Sequence, residues 1–151
     1  MYTSLSCGAL GIDPGGFEKA LELATEYGFG GLEPDVRHLR SLSDSELAAL
    51  RQDLERRGLQ WGSAGVPVDI NASAADFARQ LGSLEAYAEV LEAAGVARAG
   101  TWVRPMSATT TYRRNFARHV ERVALVDEIL AAAGVRFGLE YVGPKTFWST
   151  E

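Results

Sequence analysis

Glu140 stands inside an apolar run, GVRFGLEYVGP, between Leu139 and Tyr141. A carboxylate in such a run is costly unless a charge compensates it. Two partners would serve. A divalent cation would neutralise it, and Mn²⁺, Mg²⁺ or Co²⁺ suits oxygen ligands. A neighbouring cation such as Arg104 would do the same structurally. Glu33, in GGLEP, repeats the pattern of small and apolar residues followed by Glu, and reads either as a ligand for a sugar hydroxyl or as a solvated carboxylate. Trp102 offers an aromatic face for stacking on a sugar ring, or plain packing. Arg104 offers a planar fork for phosphate or carboxylate, or a partner for Glu140. Lys145 lies just beyond Glu140, in GPKTF.

These residues need elements to position them, and the sequence marks a repeating unit. Four times an apolar-periodic helix ends at a glycine and a short apolar run follows: YGFGGLEP, RGLQWGSAGV, AGVARAGTWV and AGVRFGLEYV. Gly28, Gly58, Gly95 and Gly134 are spaced 30, 37 and 39 residues apart, which suits βα units and a parallel sheet. Glycine there allows the left-handed conformation that closes a helix. Strands are expected over 3–10, 29–33, 60–65, 98–103 and 136–142, and the helices carry their own start signals. Asp13-Pro14 reads as a cap and first turn, Ser43–Glu46 as a capping box, and Ser73 as the cap of a helix burying Phe77, Leu81, Leu84, Ala88 and Leu91. A fourth helix, from about Tyr112 to Ala133, is expected to turn Phe116, Val120, Val123, Ile129 and Leu130 inward.

This alternation leaves an open doubly wound sheet or a (β/α)8 barrel. Gly8, Gly11, Gly15 and Gly16 do not make a dinucleotide-binding turn and no phosphate-binding P-loop is present, so the barrel is favoured. In either architecture the strands' C-terminal ends build the site. That rule collects Ser6, Cys7, Glu33, Asp69, Trp102, Arg104 and Glu140. His119, mid-helix beside Val120, reads as a surface or edge residue, and His38, in VRHLRSL, as part of a solvated loop. Cys7 and Trp61 read as buried packing.

Composition narrows the class. The chain has 151 residues, 46% hydrophobic and 23% charged, a net charge of −5 and one cysteine. A single cysteine forms no internal disulfide and fits a reducing cytosol. The acidic balance carries no footprint for nucleic acid, and neither a membrane-spanning run nor a signal peptide stands out. The expectation is a cytoplasmic, single-domain α/β protein acting on a small molecule.

The segments LEYVGPKTF, AAAGVRFGLE and YTSLSCGALGI, with GFGGLEP after the first helix, resemble the xylose isomerase-like (β/α)8 barrels, among them the sugar phosphate isomerase/epimerase group. The resemblance runs over residues 1–151, matching the first five βα units. It implies a divalent metal (Mn, Mg, Co or Zn) held by four side chains, of which Glu140 matches the first, and a role for that glutamate in proton transfer beside the substrate carbonyl. The implied substrate is a sugar or polyol. The other implied ligands, an Asp, a His and a Glu from later strands, have no positions in this chain. A full barrel takes roughly 250 residues, so the chain is expected to be the N-terminal part of one, or to close by assembling two copies. The relatives that repair DNA carry histidines at the third and fourth strand ends, where WGSAGV and GTWVRP have none. The expected activity is isomerisation or epimerisation through an enediolate. An inosose-type dehydratase, or a fragment that only binds or assembles, stands as the alternative.

Overall fold

Short apolar runs bounded by glycine become strands, and the segments between them become helices. The computed structural model describes residues 1–104 and 107–141. Its elements are β1 (Ser4–Leu5), α1 (Phe17–Glu26), β2 (Gly31–Leu32), α2 (Val36–Ser41), α3 (Asp44–Arg57), β3 (Gln60–Trp61), β4 (Ala64–Gly65), α4 (Ala74–Leu81), α5 (Leu84–Ala94), β5 (Arg98–Val103), α6 (Tyr112–Ala132) and β6 (Arg136–Tyr141). The contacts divide the chain into two units. The first is Met1–Ala64 with Glu89–Arg98; the second is Gly65–Ala88 with the described residues from Ala99 onward.

In the first unit β1, β2 and β3 form a parallel sheet in that order, with Leu5 opposite Leu32 and Leu32 opposite Trp61. Gly31 lies so close to its neighbour that a Cβ there would stand 2.8 Å from the Gln60 carbonyl oxygen, which explains a glycine in mid-sheet. α1 buries Phe17, Ala20, Leu21 and Ala24, the stripe its spacing predicts. α3 buries Leu47 and Leu54. The capping box forms: Ser43 Oγ accepts from the Glu46 amide at 3.4 Å, and the Glu46 carboxylate accepts from the Ser43 amide at 2.7 Å. Gly58 closes the helix at φ 67°, where a side chain would be strained. Trp61 is buried, and its Nε1 donates to the Ala94 carbonyl at 2.9 Å.

In the second unit α4 and α5 flank a turn at Gly82 and Ser83. Phe77 is buried on α4, and so are Leu84, Ala88 and, beyond the unit's boundary on the same helix, Leu91. β5 lies between β4 and β6 in sheet order.

Several expectations are corrected. Residues 60–65 are two strands in two sheets, broken at Gly62 and Ser63. The first strand stops at Leu5, and Cys7–Gly11 turns on itself through the Leu10 amide on the Ser6 and Cys7 carbonyls. Asp13 does not cap α1; its carboxylate accepts from the Gly15 amide at 2.9 Å, two residues before the helix, and Gly16 takes the cap position. The helix expected from Ser73 is broken at Gly82 into α4 and α5, although Ser73 does cap, accepting from the Asp76 amide at 3.1 Å. VRHLRS is a helix, α2, because Asp35 accepts from the Arg37 and His38 amides at 3.0 and 3.2 Å.

The largest correction concerns α6. Its buried residues are Asn115, His119, Arg122, Val126 and Leu130, whereas Phe116 and Val120 are 56% and 55% exposed. Leu130 alone of the five expected residues is among those fully buried. His119, read as a surface or edge residue, is only 7% exposed.

Candidate functional site

The strand ends of the first unit open on a pocket of about 640 Å³ whose lining includes Cys7, Ile12, Asp13, Glu33, Asp35 and Arg37. Glu33 follows β2 directly, and its amide donates to the Leu5 carbonyl at 2.9 Å, which ties this corner to β1. Its exposed carboxylate accepts a hydrogen bond from Ser6 Oγ. Pro34 behind it is buried, so the backbone there is held while the carboxylate stays open to solvent. Arg37 and Asp35 add a cation and an anion to the same lining. Cys7 is half-buried and forms no disulfide. His38 stacks on Phe17 with ring centroids 4.5 Å apart, a packing contact that sequence reading of a solvated loop missed. Asp35 before a β-branched residue was the available signal, since it is a capping residue type.

The strand ends of the second unit carry Trp102, Arg104 and Glu140. Trp102 lies on β5 and is 66% exposed; Arg104 follows that strand and is exposed. Glu140 lies on β6, the neighbouring strand, and is exposed as well. The ion pairs among the described residues all join residues three or four apart within helices: Lys19–Glu22, Asp53 with Arg56 and Arg57, and Asp76–Arg79. Among the described residues Glu140 and Arg104 therefore form no ion pair with each other. Lys145 lies outside the described residues.

The chemistry available is that of separate carboxylates rather than a finished metal centre. Among the described residues no group of three His, Cys, Asp or Glu side chains could hold a metal ion. The described residues do not make up the four-ligand set that the resemblance implies.

The profile of the xylose isomerase-like TIM barrels matches residues 21–150. The chain belongs to that family. Among solved structures it is similar to a xylose isomerase domain protein from Alicyclobacillus acidocaldarius, at 27% identity and a TM-score of 0.64, over 87% of this chain and 47% of that one. It also resembles the IOLI protein with a binding zinc atom, at 15% identity and a TM-score of 0.74, over 94% of this chain and 52% of that one. A D-psicose 3-epimerase studied in the presence of D-fructose aligns at 17% identity and a TM-score of 0.60, over 91% and 51% of the two chains. The last two likenesses establish the fold alone. No curated protein matches the sequence significantly. The chain spans about half the length of these solved structures.

Proposed function

We propose that the chain is the N-terminal part of a metal-dependent sugar, or sugar phosphate, isomerase or epimerase that works through an enediolate. The observation that carries this reading is Glu140: an exposed carboxylate at the end of a barrel strand, without an ion pair among the described residues, in a chain of this family. The IOLI protein's zinc and the D-psicose epimerase support a metal and a sugar as the ligands to test.

In this reading Glu140 takes the proton from the carbon beside the substrate carbonyl; it would also supply one carboxylate to a divalent metal, which when bound would stabilise the negative charge that develops on the oxygen. The electron pair left behind delocalises onto the carbonyl oxygen as an enediolate. Return of a proton to the neighbouring carbon gives the isomer, and return to the opposite face gives the epimer. A base of moderate strength suffices only when the substrate is held still. Trp102 would stack on the sugar's apolar face, and Glu33 would accept from a hydroxyl. Arg104 and Lys145 would take a second hydroxyl or a phosphate. The protein would act in the cytoplasm on a small polyol, with neither nucleic acid nor membrane as partner.

Native mass spectrometry with added Mn²⁺ tests it. One bound ion per chain, lost in Glu140→Gln, is expected. Equal metal content in the variant would remove Glu140 from the site, and a sugar product lighter by one water would replace isomerisation by dehydration.

A further inference from the structure

The segment between β4 and α4 has no regular structure, yet its backbone runs inward: Val68 and Ile70 are 2% and 1% exposed. Backbone groups carried inside with them must find partners. Local ones exist on one side. The Asn71 amide donates to the Asp69 carboxylate at 2.8 Å, the Ala72 amide to the Asp69 carbonyl at 3.0 Å, and the Asp69 amide to Gln80 Oε1 at 2.8 Å. The carbonyls face the other way and are met by α6. Arg122 Nη1 donates to the Ile70 carbonyl at 2.9 Å and to the Ala72 carbonyl at 2.7 Å. Its guanidinium lies 4.5 Å from the centre of the Phe77 ring, which adds a cation–π contact from α4. One turn earlier, His119 Nε2 lies 2.9 Å from Asn71 Oδ1. With that oxygen as acceptor, Nε2 carries the hydrogen and donates.

A guanidinium costs more to bury than Val or Leu unless its donors are used, and here they are used on two backbone carbonyls. What it supplies is a fixed backbone. We propose that Arg122 and His119 are positioning residues for the loop that follows β4, residues 66–73. From α6 they clamp the loop and hold it in one conformation at a strand end, where this fold places its substrate contacts. The inference rests on the reading of the strand ends as the site, but its test does not require activity.

Hydrogen exchange at the Asn71 and Ala72 amides reads the loop directly, with the α4 amide of Phe77 and the first-unit amide of Leu59 as references. Arg122→Met keeps the apolar stem and removes both donors. It is expected to speed exchange at Asn71 and Ala72 roughly tenfold or more, with Phe77 and Leu59 near their wild-type rates. Two substitutions of His119 separate donor from volume. His119→Gln keeps an N–H for Asn71 and should stay within about threefold of wild type, whereas His119→Phe keeps the ring volume without the donor and should open the loop. Wild-type loop rates in Arg122→Met, or equal protection by Gln and Phe at position 119, would overturn the clamp. So would acceleration of Phe77 as large as that of the loop, because the loop would then have no separate hold. A loop that opens as expected in a protein that isomerises no sugar would leave the clamp standing and remove the proposed function.

Discussion

Helices α3 and α6 are each the long helix of their unit, and they bury opposite kinds of residue. α3 turns Leu47 and Leu54 inward and shows solvent a charged face on which Asp53 pairs with Arg56 and Arg57. α6 buries Asn115, His119 and Arg122 ahead of Val126 and Leu130, and leaves Tyr112, Phe116 and Val120 in the open. The difference lies in what each helix packs against. α3 buries leucines alone, the usual stripe. The first half of α6 meets an inward-running loop whose carbonyls demand donors, and an apolar face there would leave them unpaired. The composition of a buried face follows from the needs of its neighbour, not from the helix alone.

Breaking the α3 side of this comparison should cost most. Leu54→Ala removes a side chain that is 4% exposed and should lower stability by about 2–5 kcal/mol, read from urea denaturation. On the α6 side, Arg122→Met should cost about 1–3 kcal/mol, because two buried carbonyls lose a charged donor. Equal losses in the two variants would erase the distinction between apolar and polar cores.

A smaller effect should appear with pH. Burial, and then the positive charges of Arg118 and Arg122, hold the His119 imidazole below its ordinary pKa of 6.5. The fold therefore favours the neutral ring, while the unfolded chain takes up a proton near that ordinary value. Stability should fall as pH drops below about 6.5 and level off below the lowered folded value. His119→Gln should flatten this part of the profile; an unchanged slope would assign it to other groups. The smallest effect is expected at Phe116. Since its side chain is exposed, Phe116→Gln should change stability by less than about 0.5 kcal/mol. A loss well above that would show that this face is covered in solution.

Legibility in the sequence follows the same division. Where local rules decide, they were readable: the Ser43–Glu46 box, the left-handed Gly58 and the Phe17–Ala24 stripe all stand as spacing indicates. The α6 face was not, because counting apolar residues favours Phe116 and Val120 and cannot register a loop's demand for donors. The signal was present in another form, as Asn115, His119 and Arg122 fall at i, i+4 and i+7, one polar stripe along one helix face. The candidate site divides likewise. Glu140, Trp102 and Arg104 were placed at strand ends by the βα repeat, and Glu33 likewise. The bond from Ser6 to Glu33 was hidden, since it depends on how β1 and β2 pair. The split of residues 60–65 between two sheets also lay beyond local pattern, because sheet membership is set by partners distant in sequence.

The central claim, that Glu140 serves sugar isomerisation through an enediolate, is tested most directly in D₂O. The protein, supplied with Mn²⁺ and a panel of ketoses and aldoses, should release an isomer carrying solvent deuterium on the carbon beside the carbonyl. Glu140→Gln should lower that incorporation by roughly a hundredfold or more. Deuterium incorporation no greater than in buffer with Mn²⁺ alone, or incorporation undiminished in the variant, would contradict the account.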